Sequence, residues 1–205
     1  METILLPFTH PDAISQALAF LQGGGLVAFP TDTVYGLAAR VDDEAAIQRL
    51  FIAKGREWNK AIAVLIGDVE QISQVAQTMN QSALRLAAAF WPGALTIIVP
   101  RAENLPTCLS PLPTIGVRIP DHAFARKLLR SSGALATTSA NLSGGANPLS
   151  AQDVVQQLAG RIDLILDGGL VAGGIPSTVV DCTADDIRIL RQGAISEAAI
   201  RAALK

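Results

Sequence analysis

Three hydroxyl side chains and a carboxylate lie within five residues near the start of the chain. Residues 26–29 are apolar and follow three glycines, which predicts a buried strand that Pro30 ends because proline has no N–H. A polar loop at a strand end is where open α/β sheets place ligands. The same side chains could instead satisfy only the N–H groups of a turn. They are Thr31, Asp32, Thr33 and Tyr35.

Further polar and cationic side chains lie on or just after other predicted strands. Ile115, Val117 and Ile119 alternate with Gly116 and Arg118, so Arg118 is expected on one face of a sheet rather than in a loop. Each group alone also fits a structural role, such as complementing a helix C-terminus or closing a turn. Besides Arg118, the groups are Lys54 with Arg56 and Lys60, residues 138–144, residues 176–178, and Arg191.

Taken together, these groups favour a particular chemistry. They contain several hydroxyls and at least four cations but no histidine, cysteine or paired carboxylates, which does not suit hydrolysis. The set suits a ligand rich in anionic oxygens, such as a nucleoside triphosphate. Because the chain has no GxxxxGK[ST] sequence, a phosphate site must be assembled from residues that are distant in sequence.

Composition limits the other classes. The 205 residues are enough for one domain with a substantial core, and at 50% apolar but only 4% aromatic that core is built from Ala, Leu, Ile and Val. Few aromatics argue against a base-stacking surface, and a net charge of −2 means that any anion site is local.

The cysteines and histidines do not form a zinc site. Cys108 and Cys182 are far apart and, with His10 and His122, give no metal-ligand spacing. The N-terminal residues have no basic segment typical of a signal peptide, and no apolar run approaches the roughly 20 residues that span a bilayer. A soluble protein of the reducing cytoplasm, without membrane contact, is therefore expected.

The hydrophobic pattern predicts helices and strands in irregular alternation. Strands 95–99 and 115–119, and likewise 178–181 and 187–191, have connections too short or helix-free for a parallel crossover, so the sheet is expected to be mixed, in an α/β open-sheet domain. Predicted helices cover residues 11–22, 42–54, 69–78, 80–91, 121–130 and 150–158, with a last one capped by Ser196. The other predicted strands cover residues 26–29, 61–66, 134–138 and 162–166.

Six segments in this order and spacing resemble the YrdC/TsaC family of threonylcarbamoyl-AMP synthases. The resemblance runs from about residue 12 to residue 195, and the length resembles the single-domain form, which implies one YrdC-like domain over residues 1–205. It further implies a twisted open mixed sheet flanked by helices, with a concave, positively charged face. The segments read FPTDTVYGLA, KGR followed by Lys60, GVRIP, TSANLSG, PSTVVD and RQG.

What the resemblance implies is an L-threonylcarbamoyladenylate synthase. Members of the family make threonylcarbamoyl-AMP and pyrophosphate from L-threonine, bicarbonate and ATP, with Mg²⁺ accompanying the ATP and no zinc or organic cofactor. This is the first step of the N6-threonylcarbamoyl modification at position 37 of tRNAs. Downstream threonylcarbamoyl-transfer proteins are thus implied as partners, and some members also bind tRNA or double-stranded RNA.

Residue by residue, the resemblance implies two groups of binding side chains and neither an assigned catalytic base nor a metal ligand. Glu57 stands where members often have proline, and Ala61-Ile62 replaces Pro-Leu, so the loop that carries Arg56 departs from the family pattern. Threonine is expected at Thr33, Arg118, Thr138 and Ser177, with Arg118 reaching its carboxylate or a phosphate. ATP is expected at Lys54, Arg56, Lys60, Ser139, Asn141 and Arg191.

Two alternatives come from other classes. One is an RNA-binding or ribosome-assembly factor that uses the same face without turnover, which low aromatic content and net charge disfavour. The other is a carbamoyl-transfer module like the related domain of hydrogenase-maturation proteins, which normally belongs to a much larger chain. Pyrophosphate release that requires both threonine and bicarbonate separates the synthase from the first alternative.

Overall fold

The computed structural model of the chain describes residues 2–184 and 186–205, and within them ten strands form one sheet. The strands are β1 (Ile4–Pro7), β2 (Val27–Phe29), β3 (Gly36–Arg40), β4 (Ala63–Leu65), β5 (Leu95–Pro100), β6 (Thr114–Arg118), β7 (Leu135–Ser139), β8 (Leu164–Asp167), β9 (Thr178–Asp181) and β10 (Arg188–Arg191). The helices are α1 (Ala13–Gln22), α2 (Glu44–Lys54), α3 (Gln81–Phe90), α4 (Ala123–Ser132), α5 (Ala151–Leu158) and α6 (Glu197–Ala203).

The sheet is mixed, as predicted. Its strand order is β1-β8-β2-β3-β7-β4-β6-β5-β9-β10. Neighbours with short connections are antiparallel, as in β5–β6 and β9–β10, whereas β4–β6 and β5–β9 are parallel. The expected α/β class, a twisted open mixed sheet flanked by helices, is confirmed.

Helices cover the two faces of the sheet unequally. Buried side chains of α2, α3, α5 and α6 pack on one face, whereas α1 and α4 pack on the other against strands such as β2 and β8. The second face therefore has uncovered strands, and the candidate site lies there. Among the helices of the described chain, none is both long and apolar enough to cross a membrane.

Short polar side chains begin most of the helices at the predicted places. Asp43, Asn80, Ser150 and Ser196 each accept a hydrogen bond from the backbone N–H three residues ahead, which satisfies a donor that lacks a partner in the first turn. His122 occupies this position at α4, where the sequence had suggested Asp121.

The predicted helix over residues 69–78 is wrong in type and length. A 3₁₀ helix covers Val69–Gln74, and the following residues pair with the chain at the C-terminal end of β5. Ala76 pairs with Arg101, and Gln77 donates from its backbone to Pro100. Since these backbone groups are committed to strand pairing, the helix cannot continue through them.

Two strands have no counterpart in the sequence prediction. β1 has only four residues and is mostly exposed, so it lacks the buried apolar pattern of the interior strands. β3 reads GLAAR and has no β-branched or aromatic residue, yet it pairs with both β2 and β7. This antiparallel pairing turns the polar segment between β2 and β3 back over the sheet.

Candidate functional site

A cavity of about 320 Å³ lies on the less covered face of the sheet. Every second residue of the neighbouring strands faces the cavity, and the residues between them face the hydrophobic core. Thr96 and Ile98 project from β5, and Gly116 and Arg118 project from β6. The expected direction of Arg118 is thus confirmed, because Ile115 and Val117 are buried in the core on the opposite face.

Arg118 is the centre of a closed cluster at the cavity. Its Nε donates to the carbonyl of Gly93 over 2.9 Å, Nη1 donates to Thr33 Oγ1 over 2.9 Å, and Nη2 pairs with Asp32. The residue is 6% exposed, and this burial lowers the pKa of Arg118 while the charge of Asp32 opposes the shift. The cation is consequently fixed and neutralised within the protein.

The turn that carries Thr33 is held from both sides. Thr31 Oγ1 donates to the carbonyl of Val34 over 2.7 Å and lies 3.1 Å from Thr33 Oγ1. On the other side, a glycine-rich loop packs directly on the backbone, because a Cβ at Gly173 would lie 2.4 Å from the carbonyl oxygen of Asp32. Only glycine allows this approach, so the loop packs against the backbone of the turn that carries Thr33.

A second cluster joins β5, β9 and β10. Thr96 Oγ1 and Ser177 Oγ are 2.8 Å apart, and both residues are buried. Arg191 Nη2 donates to the carbonyl of Ser177 over 2.8 Å and to its Oγ over 3.2 Å. Partial burial lowers the pKa of Arg191.

Arg56 reaches the cavity from the loop after α2. Its Nη2 donates to the carbonyl of Ala61 over 2.8 Å, and burial lowers its pKa with a further contribution from the charge of Arg191. Across the described residues, neither Arg56 nor Arg191 has a carboxylate partner, so the two positive charges remain uncompensated. The charge of Glu57 partly opposes the lowering of the Arg56 pKa, but its carboxylate pairs with Lys60 over 3.2 Å and not with either arginine.

Lys54 does not line the cavity. The residue is 2% exposed, and its ammonium contacts the carbonyls of Ser139 and Asn141 and lies 3.3 Å from Asn141 Oδ1. Burial, with a smaller contribution from the charge of Arg56, lowers the pKa of Lys54 to about 7. The geometry makes Lys54 an anchor for the loop that follows β7.

The predicted site residues therefore divide into two sets. Seven of them line one cavity although they are distant in sequence: Thr33, Arg56, Arg118, Thr138, Ser139, Ser177 and Arg191. Lys54 and Asn141 lie behind the wall, and Lys60 lies outside it with Glu57. Whether each residue binds a ligand stays a prediction.

Sequence reasoning did not assign Thr31, Thr96 or Asn147, which also line the cavity. Thr96 carried a signal, since it is the one polar side chain in the buried strand β5 and shares the face of Ile98. Within the described residues, no group of three or more histidine, cysteine, aspartate or glutamate side chains is placed to hold a metal ion.

This is an α/β domain whose less covered sheet face carries a cavity lined by guanidinium and hydroxyl groups, the side chains that anionic oxygens prefer. The chain belongs to the Sua5/YciO/YrdC family, whose model, described as "Telomere recombination", matches residues 19–193.

Relatives of this family share the sequence and the fold. The chain is 42% identical over 203 residues to the threonylcarbamoyl-AMP synthase of Bacillus subtilis, covering 96% of this chain and 58% of that protein. It is 41% identical over 181 residues to that of Pyrococcus abyssi, covering 87% of this chain and 53% of that protein. The chain thus spans little more than half the length of these two relatives.

A solved structure, P. abyssi Sua5 complexed with L-threonine, superposes with a TM-score of 0.95 at 38% identity. The superposition covers 98% of this chain and 61% of that protein.

Proposed function

We propose that this protein is an L-threonylcarbamoyladenylate synthase that uses L-threonine, bicarbonate and ATP. The observation that carries the proposal is the convergence of two uncompensated guanidinium groups, Arg56 and Arg191, on a hydroxyl-lined cavity beside the neutralised Arg118. Such a site attracts a ligand with more than one negative charge and then orients it through hydroxyl groups. Membership of the family and the names of its relatives support the same activity.

The proposed reaction has two steps. The amine of threonine adds to CO₂ derived from bicarbonate and loses a proton, which gives a carbamate. An oxygen of the carbamate then attacks the α-phosphorus of ATP, the bond to the bridging oxygen breaks, and pyrophosphate leaves with the negative charge. Fixed cations next to that developing charge are the main catalytic device that the cavity offers.

The residues are proposed to share this work by position. Arg56, Arg191 and Ser139 contact the triphosphate and the nucleotide, while Thr33, Thr138, Ser177 and Arg118 hold threonine. Lys54 and Asn141 act on ATP through the loop after β7, whose backbone they fix. Lys60, which pairs with Glu57, contributes to the shape of the Arg56 loop. Mg²⁺ enters as part of the nucleotide substrate.

The proposal includes the fate of the product and the partners of the protein. The product would pass to downstream threonylcarbamoyl-transfer proteins for modification of tRNA at position 37, in the cytoplasm. We also propose that the protein contacts tRNA or double-stranded RNA directly. The proposed domain organisation is a single domain over residues 1–205. The described arginines near the cavity are compatible with an anionic partner at its rim.

The test is a pyrophosphate-release assay on the purified protein with L-threonine, bicarbonate and ATP omitted in turn. Release that requires all three supports the synthase. Release that does not depend on threonine and bicarbonate, or no release at all, contradicts it and leaves a binding role for the cavity.

A further inference from the structure

Thr96 and Ser177 form a buried pair of hydroxyl groups that carries two protons. The hydrogen bond between the two oxygens uses only one of these protons. The two oxygens are 2.8 Å apart, and either can be the donor. Ser177 Oγ also accepts from Arg191 Nη2. Apart from these contacts, the two hydroxyls have no other partner in the part of the chain that the structure describes.

Hydrogen-bond capacity then restricts what Ser177 can offer. A serine oxygen has two lone pairs and one proton, and Arg191 takes one lone pair. Thr96 takes either the second lone pair, by donating, or the proton, by accepting. A ligand in the cavity meets whichever of the two remains.

The surrounding charge decides between these states. Arg56 and Arg191 select a ligand with anionic oxygens, and such oxygens need a donor. Ser177 can supply one only when Thr96 donates to it. We therefore propose that Thr96 is a positioning residue that sets Ser177 as a hydrogen-bond donor toward an oxyanion of the substrate. The oxyanion is either the carboxylate of threonine or a phosphate of ATP, so this inference rests on the proposed function.

The backbone keeps this arrangement rigid. β5 and β9 are parallel and pair Thr96 with Val179, which places Ser177 on the same face just before β9. On the far side, a Cβ at Gly193 would lie 2.3 Å from the carbonyl oxygen of Pro176, so the loop after β10 presses on the Ser177 segment. The hydroxyl of Thr96 thus meets Ser177 at a fixed position rather than through a mobile loop.

The experiment is a double-mutant cycle read by calorimetric titration with L-threonine alone and with ATP alone. Thr96→Val is expected to weaken one of the two ligands roughly three- to tenfold, because an oriented neutral hydrogen bond is lost. The same change made in a Ser177→Ala background should have less than about a twofold effect, since Thr96 acts through Ser177. The weakened ligand identifies the oxyanion, and Thr96→Ser should restore its affinity.

The matched control is Thr114→Val, at the far end of the adjacent strand β6. It should leave both affinities unchanged. An equal loss from Thr96→Val in both backgrounds would show a general packing effect and overturn the proposal, as would no loss for either ligand.

Failure of the proposed function gives a different result. A wild type that binds both ligands but releases no pyrophosphate refutes the synthase while the cycle still decides the role of Thr96. Normal turnover with a failed cycle refutes only the role of Thr96, and a wild type that binds neither ligand refutes both.

Discussion

Arg118 and the pair of Arg56 and Arg191 line the same cavity but are held in opposite ways. Arg118 is buried, and Asp32 neutralises it while Thr33 and a backbone carbonyl accept two of its N–H groups. Arg56 and Arg191 contact carbonyls and one serine hydroxyl, and no carboxylate of the described chain pairs with them. A paired internal charge shapes a cavity, whereas uncompensated cations at its edge attract a mobile anion.

The largest effect that this comparison predicts is on stability. Asp32→Asn should reduce the free energy of unfolding by about 3 kcal/mol, because it leaves the charge of Arg118 buried without a counterion. Urea denaturation measures the change. The control is Asp42→Asn, which removes an exposed pair with Arg40 and should cost under about 1 kcal/mol. Equal losses would mean that Arg118 behaves like a surface cation.

The edge arginines should show the reverse pattern. Arg56→Gln and Arg191→Gln are each expected to weaken ATP binding by about 1.5–3 kcal/mol, since each removes a charge-assisted contact with phosphate, while stability changes little. Calorimetric titration gives the affinities. Arg85→Gln, which alters an arginine on α3 that donates to the carbonyl of Leu204, is the matched control and should bind ATP normally. Wild-type affinity in both edge variants would remove the distinction between the two kinds of arginine.

Lys54 is a buried cation that contacts carbonyl groups and no carboxylate. It is expected to affect the stability of the protein through its own protonation. Its folded-state pKa of about 7 is below the ordinary value, so the unfolded chain holds more protons above pH 7. Stability should therefore rise with pH, by about 2 kcal/mol between pH 7 and pH 9.

In Lys54→Met this component of the pH dependence should be missing. The measurement is urea denaturation of both proteins at several pH values. Identical pH profiles would indicate that the carbonyls of Ser139 and Asn141 keep the ammonium charged in the folded protein.

The smallest predicted effect concerns the carboxylate in the Arg56 loop. Glu57 pairs with Lys60, and its side chain is 65% exposed, so solvent screens its charge from the cavity. Glu57→Gln should change ATP affinity by less than about threefold and stability by less than about 0.5 kcal/mol. A large gain in ATP affinity would instead place Glu57 among the groups that compensate the edge arginines.

Local signals predicted the elements that carry the site. The alternation of residues 115–119 predicted the face of the sheet on which Arg118 lies. The capping residues Asp43 and Ser150 predicted where two helices begin. Both features depend only on neighbours in the sequence. Contacts between distant segments were not predictable in this way. The sequence predicted Lys54 at the end of a helix as a ligand for ATP, yet its side chain turns inward toward Asn141, which is 87 positions away.

Strand β3 and the role of Thr96 depend on the same kind of information. β3 has no β-branched or aromatic residue, and its pairing with β2 and β7 decides its structure. Thr96 becomes informative only when β9 is placed beside β5, which brings Ser177 to it. No pattern within a short window contains that pairing.

Because the sheet brings together strands that are distant in sequence, the cavity forms only when the whole sheet has folded. Residues that line the cavity extend along the chain from Thr31 to Arg191 and come from seven strands and several loops. A partly folded chain has no complete cavity, so a substrate binds only the native state. Binding should then raise the midpoint of global thermal unfolding in proportion to the logarithm of ligand concentration, and saturating substrate should protect the whole sheet from proteolysis rather than one loop.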